Sequence, residues 1–88
     1  MSAPVPLSKP EPEYSEEARK AKHQGEVLLT VVVDEKGMPQ QITVKKSLGL
    51  GLDEKAIEAV QKWRFKPGMK DGKPVAVQAT IAVSFHLL

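Results

Sequence analysis

The sequence predicts an α+β domain, a three-stranded antiparallel sheet of order 2-1-3 with two helices packed on one face. Three observations predict it. The last fourteen residues, Val75 to Leu88, alternate between apolar and small or polar side chains and contain no Asp, Glu, Lys or Arg, the period-two pattern of a strand with one face to bury. Glu26-Val27-Leu28-Leu29-Thr30-Val31-Val32-Val33 is rich in β-branched residues and apolar on both faces, as a strand in the middle of a sheet is. Leu52, Ala56, Val60 and Trp63, joined by Ala59, recur at helical spacing, and such a stripe must pack on a sheet.

Along the chain, residues 1–12 come first as the end of a proline-rich linker, since Ala3 to Pro12 carries four prolines in ten residues and reads as extended chain. The folded domain is then residues 13–88. Tyr14 precedes a short helix in which Ser15 caps the free N–H groups and Glu16 and Glu17 meet the positive end of the dipole. Gly25 is expected to stop that helix, whose thin inner face is Tyr14, Ala18 and Ala21. The central strand follows, and Asp34-Glu35-Lys36-Gly37-Met38-Pro39 supplies the chemistry of a hairpin turn.

The second strand, Gln41 to Lys46, begins beside Pro39 and ends in Lys45-Lys46, features that blunt an exposed edge. Ser47 to Gly51 is a loop, and Asp53 is expected to cap a helix running from Glu54 to Arg64. Pro67-Gly68 ends it, Asp71-Gly72 makes a turn, and Pro74 leads into the final strand. A helix of about twelve residues spans roughly 18 Å, enough to carry the chain back across a short strand. The third strand then lies beside the first, and its outer side is an edge without lysine, proline or buried charge.

Composition narrows the function. A chain of 88 residues with 41% hydrophobic and 27% charged residues supports one core and places function on the surface. A net charge of +2 with acids and bases interspersed is far from the clustered basic face that nucleic acid requires. There are no cysteines, so disulfides and thiolate metal sites are excluded. His23 and His86 have no neighbouring acids at metal-ligand spacing, no serine has a hydrolase partner arrangement, and Glu16-Glu17 and Asp53-Glu54 stand at helix starts, where acids are expected. No catalytic centre, metal or cofactor is expected.

Within Trp63-Arg64-Phe65-Lys66-Pro67-Gly68 the two aromatics read as core anchors, together with Leu52, Val60 and Val31, while Arg64 points out or bonds the terminal carbonyls of the helix. The free edge has three readings: a docking strip for an extended peptide, a strand covered by the N-terminal linker, or a self-pairing dimer contact.

The order Tyr14 with a short helix, Gly25-Glu26-Val27, Asp34-x-x-Gly37, Leu52-Asp53-x-x-Ala56, Trp63-Arg64-Phe65-x-Pro67-Gly68 and a final alternating strand resembles the C-terminal domain of TonB-family energy transducers over about Pro12 to Leu88. The resemblance implies a non-enzymatic periplasmic domain, joined through a proline-rich spacer to an inner-membrane helix and driven by a motor complex powered by the proton-motive force. In that family the last strand takes the TonB box of an outer-membrane transporter into the sheet. The corresponding residues here are Val77, Gln78, Ala79, Thr80, Ile81, Ala82, Val83, Ser84 and Phe85. Relatives often have Tyr-Pro at Tyr14-Ser15, near the receptor contact, which makes Tyr14 a further candidate.

Overall fold

The computed structural model describes residues 2–87. In chain order the elements are β1 (Val5–Ser8), α1 (Glu16–Ala21), β2 (Gly25–Val33), β3 (Pro39–Lys46), α2 (Leu52–Gln61), β4 (Arg64–Lys66), β5 (Gly68–Lys70), β6 (Lys73–Val75) and β7 (Val77–Phe85). The central sheet is antiparallel with order β3-β2-β7, which is the expected 2-1-3 once the three main strands are counted alone. Two further antiparallel pairs, β1 with β4 and β5 with β6, were not expected from the sequence.

One face of the sheet forms the core. Val27, Leu29, Val31 and Val33 of β2 are fully buried, Ile81, Val83 and Phe85 of β7 are buried beside them, and Ala18 of α1 and Leu52, Ala56 and Val60 of α2 close over them. Both helices therefore sit on that face. The opposite side of β2, with Leu28, Thr30 and Val32, is only half-buried, so a run apolar on both faces did not mean a strand covered on both. Tyr14 packs against the core and Ala18 lies in it, but Ala21 is exposed and does not extend the inner face of α1.

Turns account for most of the remaining differences. Helix α1 ends at Lys22, which takes the left-handed conformation (φ 53°), and Gly25 opens β2 instead of stopping the helix. At the β2–β3 turn Asp34 Oδ1 accepts hydrogen bonds from the N–H groups of Lys36 and Met38, both at 2.9 Å, an Asx-type arrangement that holds the reversal. Gly37 is required there: its φ is 80°, and a Cβ would stand 1.9 Å from the Phe65 carbonyl oxygen. That close approach lets Phe65 N–H donate to Gly37 O at 2.9 Å, tying the end of the second helical region to the hairpin.

Helix α2 starts one residue before Asp53 and ends three before Arg64. Its N-cap is Gly51, without a side-chain cap, because Asp53 turns back toward the preceding loop. There its carboxylate accepts from Ser47 Oγ, from Leu48 N at 2.9 Å and from Gly49 N at 3.4 Å. The C-terminal end is cut short because Arg64 to Lys66 join β4, where Ser8 lies opposite Arg64 and Pro6 opposite Phe65. Residues 5–8, inside the stretch read as linker, thus become an edge strand, in which Pro6 costs little because one side needs no donor. The final strand is also divided. Lys73–Val75 pairs with β5 around the Asp71-Gly72 turn, and only Val77–Phe85 joins β2.

Candidate functional site: the free edge of β7 and its groove

β7 pairs with β2 in unbroken register over nine residue pairs, from Val77 opposite Val33 to Phe85 opposite Gly25. Among the described residues no strand pairs with its other side. In an antiparallel ladder every second residue directs its N–H and C=O away from its partner, so this side presents a row of donors and acceptors. Side chains alternate across it: Ile81, Val83 and Phe85 are buried, Val77 and Ala79 half-buried, and Gln78, Thr80, Ala82 and Ser84 exposed on the opposite face. The buried set anchors the strand. What the edge offers a partner is backbone, flanked by small or polar side chains.

The C-terminal half of that edge faces a groove of about 430 Å³. It is lined by Ala82 to His86, by Lys9 to Pro12, and by Tyr14 and Trp63. Tyr14 is fixed twice: its hydroxyl donates to the His23 carbonyl at 2.9 Å, and its ring meets Phe85 edge-on with centroids 5.6 Å apart. Trp63 packs its ring near Phe65, centroids 6.1 Å apart, and its indole N–H donates to the Pro10 carbonyl at 3.0 Å. Ser84 is tied across to β2, its hydroxyl donating to Glu26 Oε2 at 3.2 Å.

The structure therefore brings Tyr14, Ala82, Val83, Ser84 and Phe85 to one groove, while Val77 to Ile81 continue the same edge beyond it. Trp63, Phe65, Leu52, Val60 and Val31 are all buried, and Trp63 additionally reaches the groove. Lys9, Pro10, Glu11 and Pro12 line the groove as well, which places part of the linker beside the edge, as one of the three readings of that edge expected, although no individual linker residue was singled out. Arg64 stays outside the groove and turns its guanidinium Nη1 to the carbonyls of Gln61 at 3.1 Å and Trp63 at 2.7 Å.

Electrostatics within the site are mild, with Lys9, Glu11, His86 and the Tyr14 phenol as the charged or titratable groups lining it. The two resolved pKa shifts lie elsewhere. Asp34 is held below the ordinary carboxylate value chiefly by the Met38 N–H. Burial pushes Asp53 upward, but the hydrogen bonds from Ser47, Leu48 and Gly49 outweigh it and leave the group below its ordinary value. Both acids hold turns. His23 likewise has a structural partner, with Nε2 at 2.7 Å from the Leu48 carbonyl oxygen.

Residues 10–87 match the family described as Gram-negative bacterial TonB protein C-terminal. The chain is similar to Protein TonB of Vibrio cholerae serotype O1, at 33% identity over 98% of this chain and 38% of that protein. It is also similar to Protein tonB2 of Pseudomonas aeruginosa, at 37% identity over 92% of this chain and 30% of that protein. The chain thus spans about a third of the length of these curated relatives. Its fold superposes on the solution NMR structure of the Pseudomonas aeruginosa TonB CTD with a TM-score of 0.76 and 31% identity, over 99% of this chain and 89% of that one. The chain belongs to the family of Gram-negative bacterial TonB protein C-terminal domains.

Proposed function

We propose that this domain is a non-enzymatic, force-transmitting binding module that captures an extended peptide as a strand added to the free edge of β7. The peptide is the N-terminal TonB-box segment of an outer-membrane transporter, the domain works in the periplasm, and the pull comes from an inner-membrane motor complex driven by the proton-motive force. The observation that carries this reading is the edge itself, nine residues in unbroken register with β2 and, among the described residues, with no strand paired on the other side. Adding a strand satisfies backbone groups that otherwise only water can reach, and alternate side chains select the partner. Hydrogen bonds perpendicular to the strands resist sliding along them because many must shear together, which suits a device that pulls.

The test is a backbone-amide NMR titration of the domain with nine-residue peptides copied from the N-terminal segments of outer-membrane transporters of the same cell. Shifts concentrated on Val77 to Phe85, with light scattering giving the mass of one domain plus one peptide, are expected. Shifts centred on another surface, or a mass that grows with domain concentration while the peptides leave β7 unmoved, would replace peptide capture with self-pairing of the edge.

A further inference from the structure

We infer that residues Lys9 to Glu13 form a strap, latched by the Trp63 indole on the Pro10 carbonyl, that must open for a strand to add along the full length of β7 and then closes over it. This rests on the strand-addition reading and assigns its regulation. The strap hangs between two fixed points. On one side Ser8 is held in the β1–β4 pair opposite Arg64; on the other Tyr14 is held by the His23 carbonyl and by Phe85. Between them the latch at 3.0 Å is the one hydrogen bond from a described side chain to the strap.

The strap cannot seal the edge by itself. Pro10 and Pro12 have no N–H, so alternate positions lack the donor that pairing with β7 needs. Among the described residues no backbone hydrogen bond joins Lys9–Glu13 to β7. A gap is left. It is the groove of about 430 Å³ between the strap and the C-terminal half of the edge, room beside β7 that the strap itself does not fill. The added backbone approaches an edge sideways, and at Ala82 to His86 the strap stands on that side. At Val77 to Ile81 it does not.

Away from β7 the strap lines a second, smaller cleft of about 70 Å³, between Pro10–Glu13 and Lys55, Glu58, Ala59 and Lys62 of the α2 region. Glu11 and Glu13 on the strap share that cleft with Lys55 and Lys62 and with Glu58, which already pairs with Lys55 at 3.9 Å, so no strap carboxylate is held there by an ion pair among the described residues. A short peptide can therefore pair at Val77–Ile81 with the latch closed, whereas a longer one has to break the Trp63–Pro10 bond to enter and is retained when it re-forms.

Trp63 is the only tryptophan in the chain, so a single indole N–H resonance reports the latch. The experiment follows that resonance and the β7 amides in the whole domain, with nine-residue peptides copied from transporter N-terminal segments and with five-residue truncations of them. The five-residue peptides are expected to shift Val77–Ile81 and leave indole exchange with water unchanged. The nine-residue peptides are expected to shift Val77–Phe85 and to speed indole exchange during the titration. Trp63→Phe, checked for fold by circular dichroism, is expected to raise both association and dissociation rates of the nine-residue peptides about fivefold, the worth of one neutral hydrogen bond, with affinity little changed. β7 shifts from the nine-residue peptides with indole exchange unaltered would overturn the latch while leaving strand addition standing. No β7 shift from any peptide would overturn strand addition itself, and the latch with it.

Discussion

The two outer strands of the central sheet face solvent in opposite ways. β3 begins at Pro39, ends in Lys45-Lys46, and pairs with β2 through two irregularities. Between Thr30 and Val32 a single β2 residue stands against Gln41 and Ile42, and between Leu28 and Leu29 an extra β3 residue, Lys45, is inserted. Such bulges twist an edge and interrupt its row of donors. β7 has no bulge, no charge and no proline over its nine residues. One sheet thus carries a defended edge and an open one, and the difference shows that the openness of β7 is a local choice and not a consequence of the fold.

The largest effect that separates the two edges is the cost of truncating their apolar side chains. Phe85 is almost fully buried and packs on Tyr14, so Phe85→Ala is expected to cost about 3–5 kcal/mol, a large part of the roughly 4–13 kcal/mol available to a domain of this size. Val44 on β3 is 40% exposed, and Val44→Ala is expected to cost less than about 1 kcal/mol. Urea denaturation of both variants measures the contrast. Similar losses would mean that the two strands share the core equally.

Next in size is the effect of proline on capture. Of any two adjacent residues in β7 one directs its N–H toward β2 and the other outward. Ala79→Pro and Thr80→Pro are therefore expected to divide: one weakens the fold, and the other keeps the fold by circular dichroism while lowering peptide affinity about a hundredfold, through a lost donor and a blocked approach. The matching pair on β3, Thr43→Pro and Val44→Pro, should leave the affinity of any folded variant unchanged. Equal loss of binding from a folded β3 variant would show that the defended edge also takes peptide.

The contrast between the edges was visible in the residues before any coordinates. Alternation, β-branching and the positions of Pro39, Lys45 and Lys46 identify all three main strands, their order and which edge lacks lysine, proline and charge, because these patterns express burial and pairing directly. What the residues did not disclose depends on contacts distant in sequence. Trp63 reads as a core aromatic, and burial says nothing of an indole N–H that finds Pro10, 53 positions away. Val5-Pro6-Leu7 looks like linker because its only ordering partner, β4, lies in the stretch that looked like helix. Asp53 has the composition of a helix cap but serves the loop before it, since Gly51 already occupies the cap in a left-handed conformation. In each case a local preference was satisfied by a different partner from the nearest one.

Asp53 gives a smaller test on the β3 side. Its carboxylate holds the loop by which the chain leaves β3, so Asp53→Ala is expected to cost about 1 kcal/mol. Because its folded pKa lies below the ordinary 3.8, its contribution is fully present above that value and is lost as pH falls through the folded pKa. Wild type should lose this increment on acidification, and Asp53→Asn should show a flatter decline between about pH 5 and 2. Parallel pH profiles for the two proteins would remove the carboxylate from the account of that loop.

The smallest expected effect concerns what the defence of β3 costs. Gln41 sits at the bulge opposite Val31 with φ at 47°, a left-handed conformation that a side chain with a Cβ adopts at a cost of about 1–2 kcal/mol. Glycine adopts it freely but loses about 0.5–1 kcal/mol of chain entropy on folding. Gln41→Gly is therefore expected to stabilise the domain by about 0.5 kcal/mol, read as a small rise in the urea midpoint at constant slope. Deleting Gln41 should act in the opposite sense on the edge itself. Without the extra residue β3 can pair in even register near Val31, and the domain should then begin to self-associate through that side at high concentration. A deletion variant that stays monomeric by light scattering would place the defence in Pro39 and the lysines, and make the bulge a consequence of the turn that precedes it.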